Sequence, residues 1–348
     1  MDRNNVEFDI TNINQLYDHV IKSFSSTFGG YGLMEHNQSS IISDIDKSTF
    51  FVGSTISVFK PTVIEKKIPG KGYFLIQKCL RTQNASILKN DEKFPEWSSY
   101  FTSIGTISPP GQLKEISNCI WKFFTDELKI DKERLLVRVS SHDIDMMNVW
   151  NNIGAKLEID TREINYYRHH YGLQNVIGRN INFAIKQNNL EFKDVGNLII
   201  IENKSGQLGV ELAFGVGTLL SRIYQLPHPI NASLVSKIVP HKNKYSIKFA
   251  DALSVVVVLS RQGIRPTASE NRGRILRKYL QSLSYFRTKL DYSVDEIGRF
   301  ITSYEKEEFG NISDLDEKCV KYLKAFEKLT REQLDTALIN KKISILFN

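Results

Sequence analysis

The sequence has few cysteines, no long hydrophobic run and no apolar leader, and each absence argues against a class of protein. Its 348 residues include three cysteines, Cys79, Cys119 and Cys319, which lie far apart and form no CxxC pair. This spacing argues against a disulfide framework or a zinc site and favours a reducing, cytoplasmic environment. No apolar stretch approaches the roughly 20 residues that a membrane helix requires. The N-terminal sequence MDRNNVEFDI contains early acids and predicts no secretory peptide.

Positive charge is what the sequence does have, and it is concentrated in one region. The formal net charge is +7, and between His241 and Leu290 eleven Lys and Arg residues stand against two acids. The remainder of the chain is therefore close to neutral. A basic region in a near-neutral protein favours a polyanionic partner such as nucleic acid. A solvated helical face would have the same composition, so charge alone leaves both interpretations open.

Hydrophobic periodicity predicts an α+β first half. The pattern predicts helices at 12–24, from after Gly111 to about Leu128, at 143–153, and from Gly217 to before Pro227. A high content of β-branched residues, or side chains that alternate between two faces, predicts strands at 49–59 (ended by Pro61), 73–82, 99–107, 135–140, 164–167 and 198–202.

Helical patterns dominate after residue 231. They predict helices at 249–262, 294–308 and 314–329, and a further helix that begins after Ser269, which can cap it. The valines within 249–262 would also suit a strand. We expect an α+β domain at 1–230 and a helical domain at 231–348.

Several segments resemble the alanyl-tRNA synthetase family in their order and spacing. FFVGSTISVFKP and IQKCLRTQN are similar to the family's strand ending in Phe-Lys-Pro and its Gln-Lys/Arg-Cys-x-Arg run. WSSYFTSIGTISPPGQLKEIS, KERLLVRVSSHDIDMMNVWNNIG, VGNLIII and GVGTLLSRI resemble later catalytic segments. ADALSVVVVLSRQGIRPTASENRGRILRKYL resembles the tRNA-recognition region. The resemblance covers most of residues 12–310 and implies a class II synthetase antiparallel sheet flanked by helices, followed by a helical domain, without the editing domain.

The resemblance implies binding of ATP with Mg²⁺ and of an amino acid. Arg81 matches the motif 2 arginine that contacts the ATP α-phosphate, and guanidinium forks pair well with phosphate oxygens. Asn197 matches an asparagine that fixes the amino acid. Gly215 and Gly217 match the glycines of motif 3, where a backbone can approach a nucleotide closely.

The chain also departs from the family at positions where chemistry is expected. Ala213 occupies the position of the aspartate that holds the substrate ammonium, and Glu211, two residues earlier on the same strand face, is a possible substitute. Leu220 occupies the position of the motif 3 arginine, with Arg222 two residues later. Thr102 replaces a carboxylate of motif 2. These changes leave the identity of the amino acid open.

The helical half departs less from the family. The resemblance implies that Asn271 and Arg272 read a tRNA acceptor stem, with a basic face extended by Arg274, Arg277 and Lys278. Cations and amides suit the phosphates and shallow minor groove of an RNA helix. His169 and His170 are adjacent, so on a strand they point to opposite faces and predict no metal site.

Three functions remain open on the sequence. The first is an alanine--tRNA ligase-like enzyme that forms an aminoacyl adenylate and charges tRNA. The second is an aminoacyl ligase acting on a small molecule or carrier protein. The third is a non-catalytic tRNA-binding paralog, which Ala213, Leu220 and Thr102 would suit.

Overall fold

The computed structural model describes residues 9–46, 49–173, 175–240, 243–267, 270–333 and 335–347. These residues group into two compact units. The first contains the described residues up to Cys79 together with Phe101–Pro227, and the second contains Leu80–Tyr100 and the described residues from His228 onward. Along the chain the break at Pro227 lies close to the expected boundary, but 80–100 joins the helices instead of the domain assigned to 1–230. Within the described residues, no helix is both long enough and apolar enough to cross a membrane.

A nine-stranded sheet forms the centre of the first unit, in the order β1-β2-β3-β9-β8-β7-β4-β5, with β6 paired to β7. Five recorded pairings are antiparallel, whereas β1–β2 and β4–β5, at the two edges, are parallel. The expected α+β fold with an antiparallel sheet is thus confirmed, with parallel edges added. The strands are β1 (Met34–Glu35), β2 (Tyr73–Leu80), β3 (Tyr100–Ser108), β4 (Leu135–Val139), β5 (Leu157–Ile159), β6 (Arg168–His170), β7 (Val176–Lys186), β8 (Phe192–Asn203) and β9 (Gly206–Gly215).

Aromatic side chains fill the space between one face of the sheet and its helices. Phe183 and Phe214 on the sheet contact Phe124, and Phe183 also contacts the fully buried Trp150. Rings at centroid separations of 5.1–5.5 Å contribute both apolar burial and edge-to-face attraction. The helices of this unit are α1 (Ile13–Gly30), α2 (Thr55–Ile64), α3 (Leu113–Lys122), α4 (Ile144–Ile153) and α5 (Val216–Ile223).

The strand predicted at 49–59 is wrong, because 49–54 form no strand and α2 begins at Thr55. Residues 55–60 are all buried, and α2 packs in a second apolar cluster that includes Ile107 and Ile199 of the sheet. A helix buried nearly all round shows little periodicity, so its β-branched content misled the prediction. Pro61 lies inside α2 and does not end it. The strand predicted at 164–167 is likewise wrong, since a 3₁₀ turn occupies Ile164–Tyr167.

Helices make up most of the second unit, as the sequence predicts. The 249–262 segment lies within α6, which rules out the strand alternative, while Ser269 falls outside the described residues. The helices are α6 (Lys244–Arg261), α7 (Asn271–Leu290), α8 (Val294–Phe309), α9 (Leu315–Arg331) and α10 (Thr336–Phe347).

A buried carboxylate in α6 holds the 80–100 segment to the helices. Asp251 is completely buried and accepts hydrogen bonds from the Ser99 backbone N–H (2.6 Å), the Ser99 hydroxyl (2.6 Å) and the Asn84 amide (3.2 Å). The Ser99 hydroxyl also contacts the Tyr279 hydroxyl at 2.9 Å. Burial raises the pKa of Asp251, and these donors oppose that rise. Because Ser99 accepts the backbone N–H of Arg81 at 2.8 Å, this network also fixes the main chain at Arg81.

Candidate functional site

Five residues form a row across five neighbouring strands of the first unit. The register pairs Arg138 of β4 with Asn182 of β7, Asn182 with Asn197 of β8, Asn197 with Ala213 of β9, and Ala213 with Gly105 of β3. Directly paired residues in antiparallel strands point to the same face. This row, which we call the polar row, lies on the face opposite that of Phe183 and Phe214.

Two buried polar atoms at the polar row have no hydrogen-bond partner among the described residues. They are Asn182 Nδ2 and Thr55 Oγ1. Thr55 belongs to this site because a Cβ added to Gly105 would lie 2.3 Å from Thr55 Oγ1. An unsatisfied buried donor costs roughly 1–3 kcal/mol. Unpartnered polar groups beside a small residue, Ala213, are what a site for a polar ligand requires.

A buried carboxylate lies one step further along the same face. Glu211 is 2% exposed and accepts a hydrogen bond of 2.7 Å from the Tyr171 hydroxyl. Burial, together with this carboxylate, raises the pKa of Tyr171 well above its ordinary value, so Tyr171 remains a donor. Glu211 pairs with Ile199 and Ile107, the residues that follow Asn197 and Gly105 by two positions. Ala213 and Glu211 therefore lie on the same face of β9, as predicted.

The charge of Arg138, at the end of the polar row, is compensated locally. Its guanidinium donates to Glu158 at 2.8 Å, to the Phe192 carbonyl at 3.1 Å and to Asp194. Tyr166 donates to the other oxygen of Asp194 at 2.7 Å. This network fixes the β4 end of the row without leaving an uncompensated buried charge.

The predicted nucleotide residues of motif 3 lie at the end of β9 and in α5. Gly215 is the last residue of β9, and α5 begins at Val216, one residue before the predicted start. Arg222 is 8% exposed, and its carbonyl accepts hydrogen bonds from Arg134 and Gln187. Because α5 contacts α1, on the aromatic side of the sheet, Arg222 is not placed at the polar row. Its ATP contact, like those of Gly215 and Gly217, stays a prediction.

The two cationic elements predicted to bind phosphate both lie in the second unit. Arg81 follows β2 directly and its side chain is exposed. Asn271, Arg274 and Lys278 are exposed on α7 at helical spacing, whereas Arg272 and Arg277 are half-buried. Other cations of the basic region have structural partners: Lys248 donates to the Asn90 carbonyl at 2.6 Å, and Arg261 and Arg287 pair with Glu305 and Glu327. Fewer cations of the basic region are therefore available to a polyanion than the sequence suggests.

Sequence reasoning missed Asn182 and Thr55. Both lie in segments that it either left unassigned or assigned to a strand, and neither stands out by residue type. Only the register of β7 with β8 and the packing of α2 over Gly105 bring them to the polar row.

The histidine pair behaves as alternation predicts. His169 and His170 are consecutive in β6, where His169 contacts the ring of Tyr171 and His170 is exposed. No group of three or more His, Cys, Asp or Glu side chains suited to a metal occurs among the described residues.

The known proteins that are similar to this chain include tRNA ligases and tRNA synthetases. No family model matches the chain. Similar proteins include alanine--tRNA ligase of Acetivibrio thermocellus, 28% identical over 40% of this chain and 15% of the relative. Alanine--tRNA ligase 1 of Lachnoclostridium phytofermentans is 22% identical over 91% of this chain and 41% of the relative. An asparaginyl-tRNA synthetase from Entamoeba histolytica in complex with asparaginyl-adenylate has a TM-score of 0.41 at 8% identity, covering 65% of this chain and 66% of that one.

The chain is thus similar in sequence to aminoacyl-tRNA synthetases. Within that class, its relatives are the alanine--tRNA ligases, as the sequence motifs predict. The matched part of the chain spans from 15% to 41% of the length of these two relatives.

Proposed function

We propose that the protein activates an amino acid with ATP, forming an aminoacyl adenylate, and transfers the aminoacyl group to tRNA. The observation that carries the proposal is the polar row, where Asn182 Nδ2 and Thr55 Oγ1 are buried without partners among the described residues, on either side of Asn197 and Ala213. The row lies on the face where the resemblance expects the substrate amino acid, since it contains Asn197.

The polar row and its neighbour Glu211 offer the groups that a zwitterion needs. The Asn182 amide can donate to the substrate carboxylate, and the buried carboxylate of Glu211 can accept from the substrate ammonium. The Thr55 hydroxyl, at the Gly105 end of the row, can donate to another polar group of the ligand. Tyr171 holds the Glu211 carboxylate by one oxygen. Ala213 leaves space that an aspartate would fill, so the pocket differs from that of the relatives.

Arg81 supplies the cation for the α-phosphate in this proposal. Attack of the substrate carboxylate on the α-phosphorus forms the mixed anhydride and releases pyrophosphate. A fixed guanidinium stabilises the negative charge that develops on the phosphate oxygens. Mg²⁺ would be held chiefly by phosphate oxygens and water.

The exposed face of α7 supports tRNA as the acceptor. Arg274 and Lys278 lie one turn apart, and Asn271 precedes Arg274 on the same face. Asn271 Oδ1 lies 3.5 Å from Arg274 Nη1, which brings an amide and a cation together. A different acceptor, such as a carrier protein or small molecule, is the second candidate, because Ala213 changes the substrate pocket relative to the family.

Asn182→Leu is expected to abolish amino-acid binding while leaving the fold stable. Replacing an unsatisfied buried amide by an apolar side chain is near neutral for stability, whereas a substrate carboxylate would lose its donor. The measurement is a thermal-shift panel of the twenty standard and several non-proteinogenic amino acids. Wild type is expected to gain about 2.7 kcal/mol at 100-fold excess over Kd.

Asn148→Leu is the matched control, since Asn148 is exposed on α4. It should retain the ligand response of wild type. If Asn182→Leu instead melts earlier and still responds to the same amino acid, Asn182 is a structural residue and the placement of the substrate is wrong.

Replacing Arg274 and Lys278 together by alanine is expected to weaken binding of total tRNA uniformly across its species. Each lost phosphate contact lowers the slope of log K against log salt by about 1. Gel shifts at rising salt measure this slope. The pair Lys324→Ala and Lys328→Ala on α9, both exposed, removes the same charge and should leave the slope near that of wild type. If both double variants show the same salt slope, the tRNA does not bind at the exposed face of α7.

A further inference from the structure

A separate cavity lies wholly within the second unit. It has a volume of about 560 Å³ and is bordered by the turn that follows α6, the middle of α7 and the first half of α9. Sites for small molecules usually measure roughly 300–1,000 Å³. None of the residues predicted from the sequence to bind a ligand lines it.

The cavity combines apolar walls with cations. Ile264 and Pro266, both half-buried, provide apolar surface, and the buried side chains of Leu276, Leu280 and Tyr322 complete the lining. Cys319 adds an apolar lining, because burial raises the pKa of its thiol to about 12 and keeps it protonated. Walls of this kind suit a flat aromatic group, which can lie against aliphatic side chains.

Four cations and one acid line the same cavity, and only two of the cations have acidic partners. Arg261 pairs with Glu305 at 3.0 Å, and Lys318 pairs with Asp314 at 2.8 Å. Arg265 and Lys321 are exposed and have no acidic partner in the described part of the chain. The cavity therefore presents uncompensated positive charge beside apolar walls, which is complementary to an anion attached to an aromatic group.

The turn and α7 are packed closely beside the cavity, so its shape is fixed. A Cβ added to Gly273 would lie 2.6 Å from the Arg265 carbonyl oxygen and 2.7 Å from Thr267 Oγ1. Arg277, on the next turn of α7, lies close to Tyr322. Its Nη1 is buried without a hydrogen-bond partner among the described residues.

We propose that this cavity binds a nucleotide, with the base against Ile264 and Pro266 and the phosphate at Arg265 and Lys321. The ligand comes either from a free mononucleotide or from an unstacked nucleotide of an RNA strand, which present the same chemistry. The inference goes beyond the proposed function, since none of these residues belongs to the polar row or to the exposed α7 face.

Binding of cytidine 5′-monophosphate, measured by calorimetry at low salt, tests the proposal. Cytidine 5′-monophosphate lacks adenine, so it does not report on an ATP site. The pair Arg265→Glu and Lys321→Glu is expected to raise Kd by at least about tenfold, because 1.4 kcal/mol of lost attraction has that effect. Inorganic phosphate alone should bind more weakly than the nucleotide, since it makes no contact with the apolar walls.

The matched control is Arg299→Glu with Lys328→Glu, two exposed positions that do not line the cavity. It changes the net charge equally and should leave Kd within about twofold of wild type, since distant surface charges are screened. Competition by a single-stranded oligonucleotide would identify RNA as the source, and absence of competition would identify the free nucleotide. Equal Kd in the two charge variants, or phosphate binding as tightly as the nucleotide, overturns the proposal. Neither result alters amino-acid-dependent pyrophosphate exchange, so this inference and the proposed function fail separately.

Discussion

Arg81→Ala is expected to lower the rate of amino-acid-dependent ATP–pyrophosphate exchange by a factor of about 10²–10³, the usual effect of removing one donor that stabilises transition-state charge. The guanidinium is exposed and follows β2 directly, and its backbone is fixed through Ser99. The loss should therefore appear in the maximal rate more than in the apparent affinity for the amino acid, since the phosphate contact strengthens as charge develops.

Two further variants separate this role from a general loss of charge. Arg81→Lys keeps the charge but loses the planar fork, so it should recover only part of the rate. Arg162→Ala removes an exposed arginine from the first unit and should exchange like wild type. Exchange at the wild-type rate in Arg81→Ala would mean that another group neutralises the phosphate, and Arg222 would then be the next residue to test.

Asp251→Ala is expected to reduce the free energy of unfolding by roughly 3–5 kcal/mol, because buried donors to a charged group lose their partner. Three such donors, from Ser99 and Asn84, lie within 3.2 Å of this carboxylate. Denaturant titration followed by circular dichroism measures the change. The exposed Asp18→Ala in the interior of α1 should change stability by less than about 0.5 kcal/mol.

The pH dependence distinguishes this carboxylate from an ordinary surface acid. Burial raises the pKa of Asp251 above its ordinary value of 3.8. A raised pKa in the folded state contributes stability that is fully present below the unfolded pKa and is lost as pH rises through the folded pKa. Relative to Asp251→Asn, wild type should therefore gain stability as pH falls toward 3.8. A constant difference across that range would show that Asp251 has the same pKa in both states.

The sequence predicts long, strongly patterned elements well and buried ones poorly. The helices predicted at 12–24 and 143–153 are present as α1, which continues to Gly30, and α4, which Gly154 caps with φ of 79°. The segment containing Ile56 and Val58 has β-branched residues on all sides of a buried helix, so local propensity points to the wrong structure.

The candidate site follows the same division between local and long-range information. Resemblance alone picks out Asn197 and Ala213, because their positions match motifs along the chain. Asn182 belongs to a strand paired with β8, and Thr55 belongs to a helix lying over Gly105. Their positions at the polar row therefore depend on strand register and on packing. A pattern read along one segment does not contain that information.

Segment 80–100 illustrates a third limit. The sequence places it in the first domain, as the link between two strands. Its contacts instead lie with the helices of the second unit, where Lys248 donates to the Asn90 carbonyl and His228 contacts the Pro95 carbonyl at 2.8 Å. Polar contacts across more than a hundred residues leave no periodic signal, so this grouping is visible only in the folded chain.

Amino-acid-dependent ATP–pyrophosphate exchange tests the central claim most directly, using the intact chain and a panel that includes non-proteinogenic amino acids. We predict that one amino acid, or a narrow set, drives exchange in wild type. The same amino acid should fail to do so in Asn182→Leu, while the variant lacking Arg274 and Lys278 exchanges normally. If no amino acid of the panel drives exchange, or if exchange is undiminished in Asn182→Leu, the assignment of the polar row as the site of amino-acid activation is contradicted.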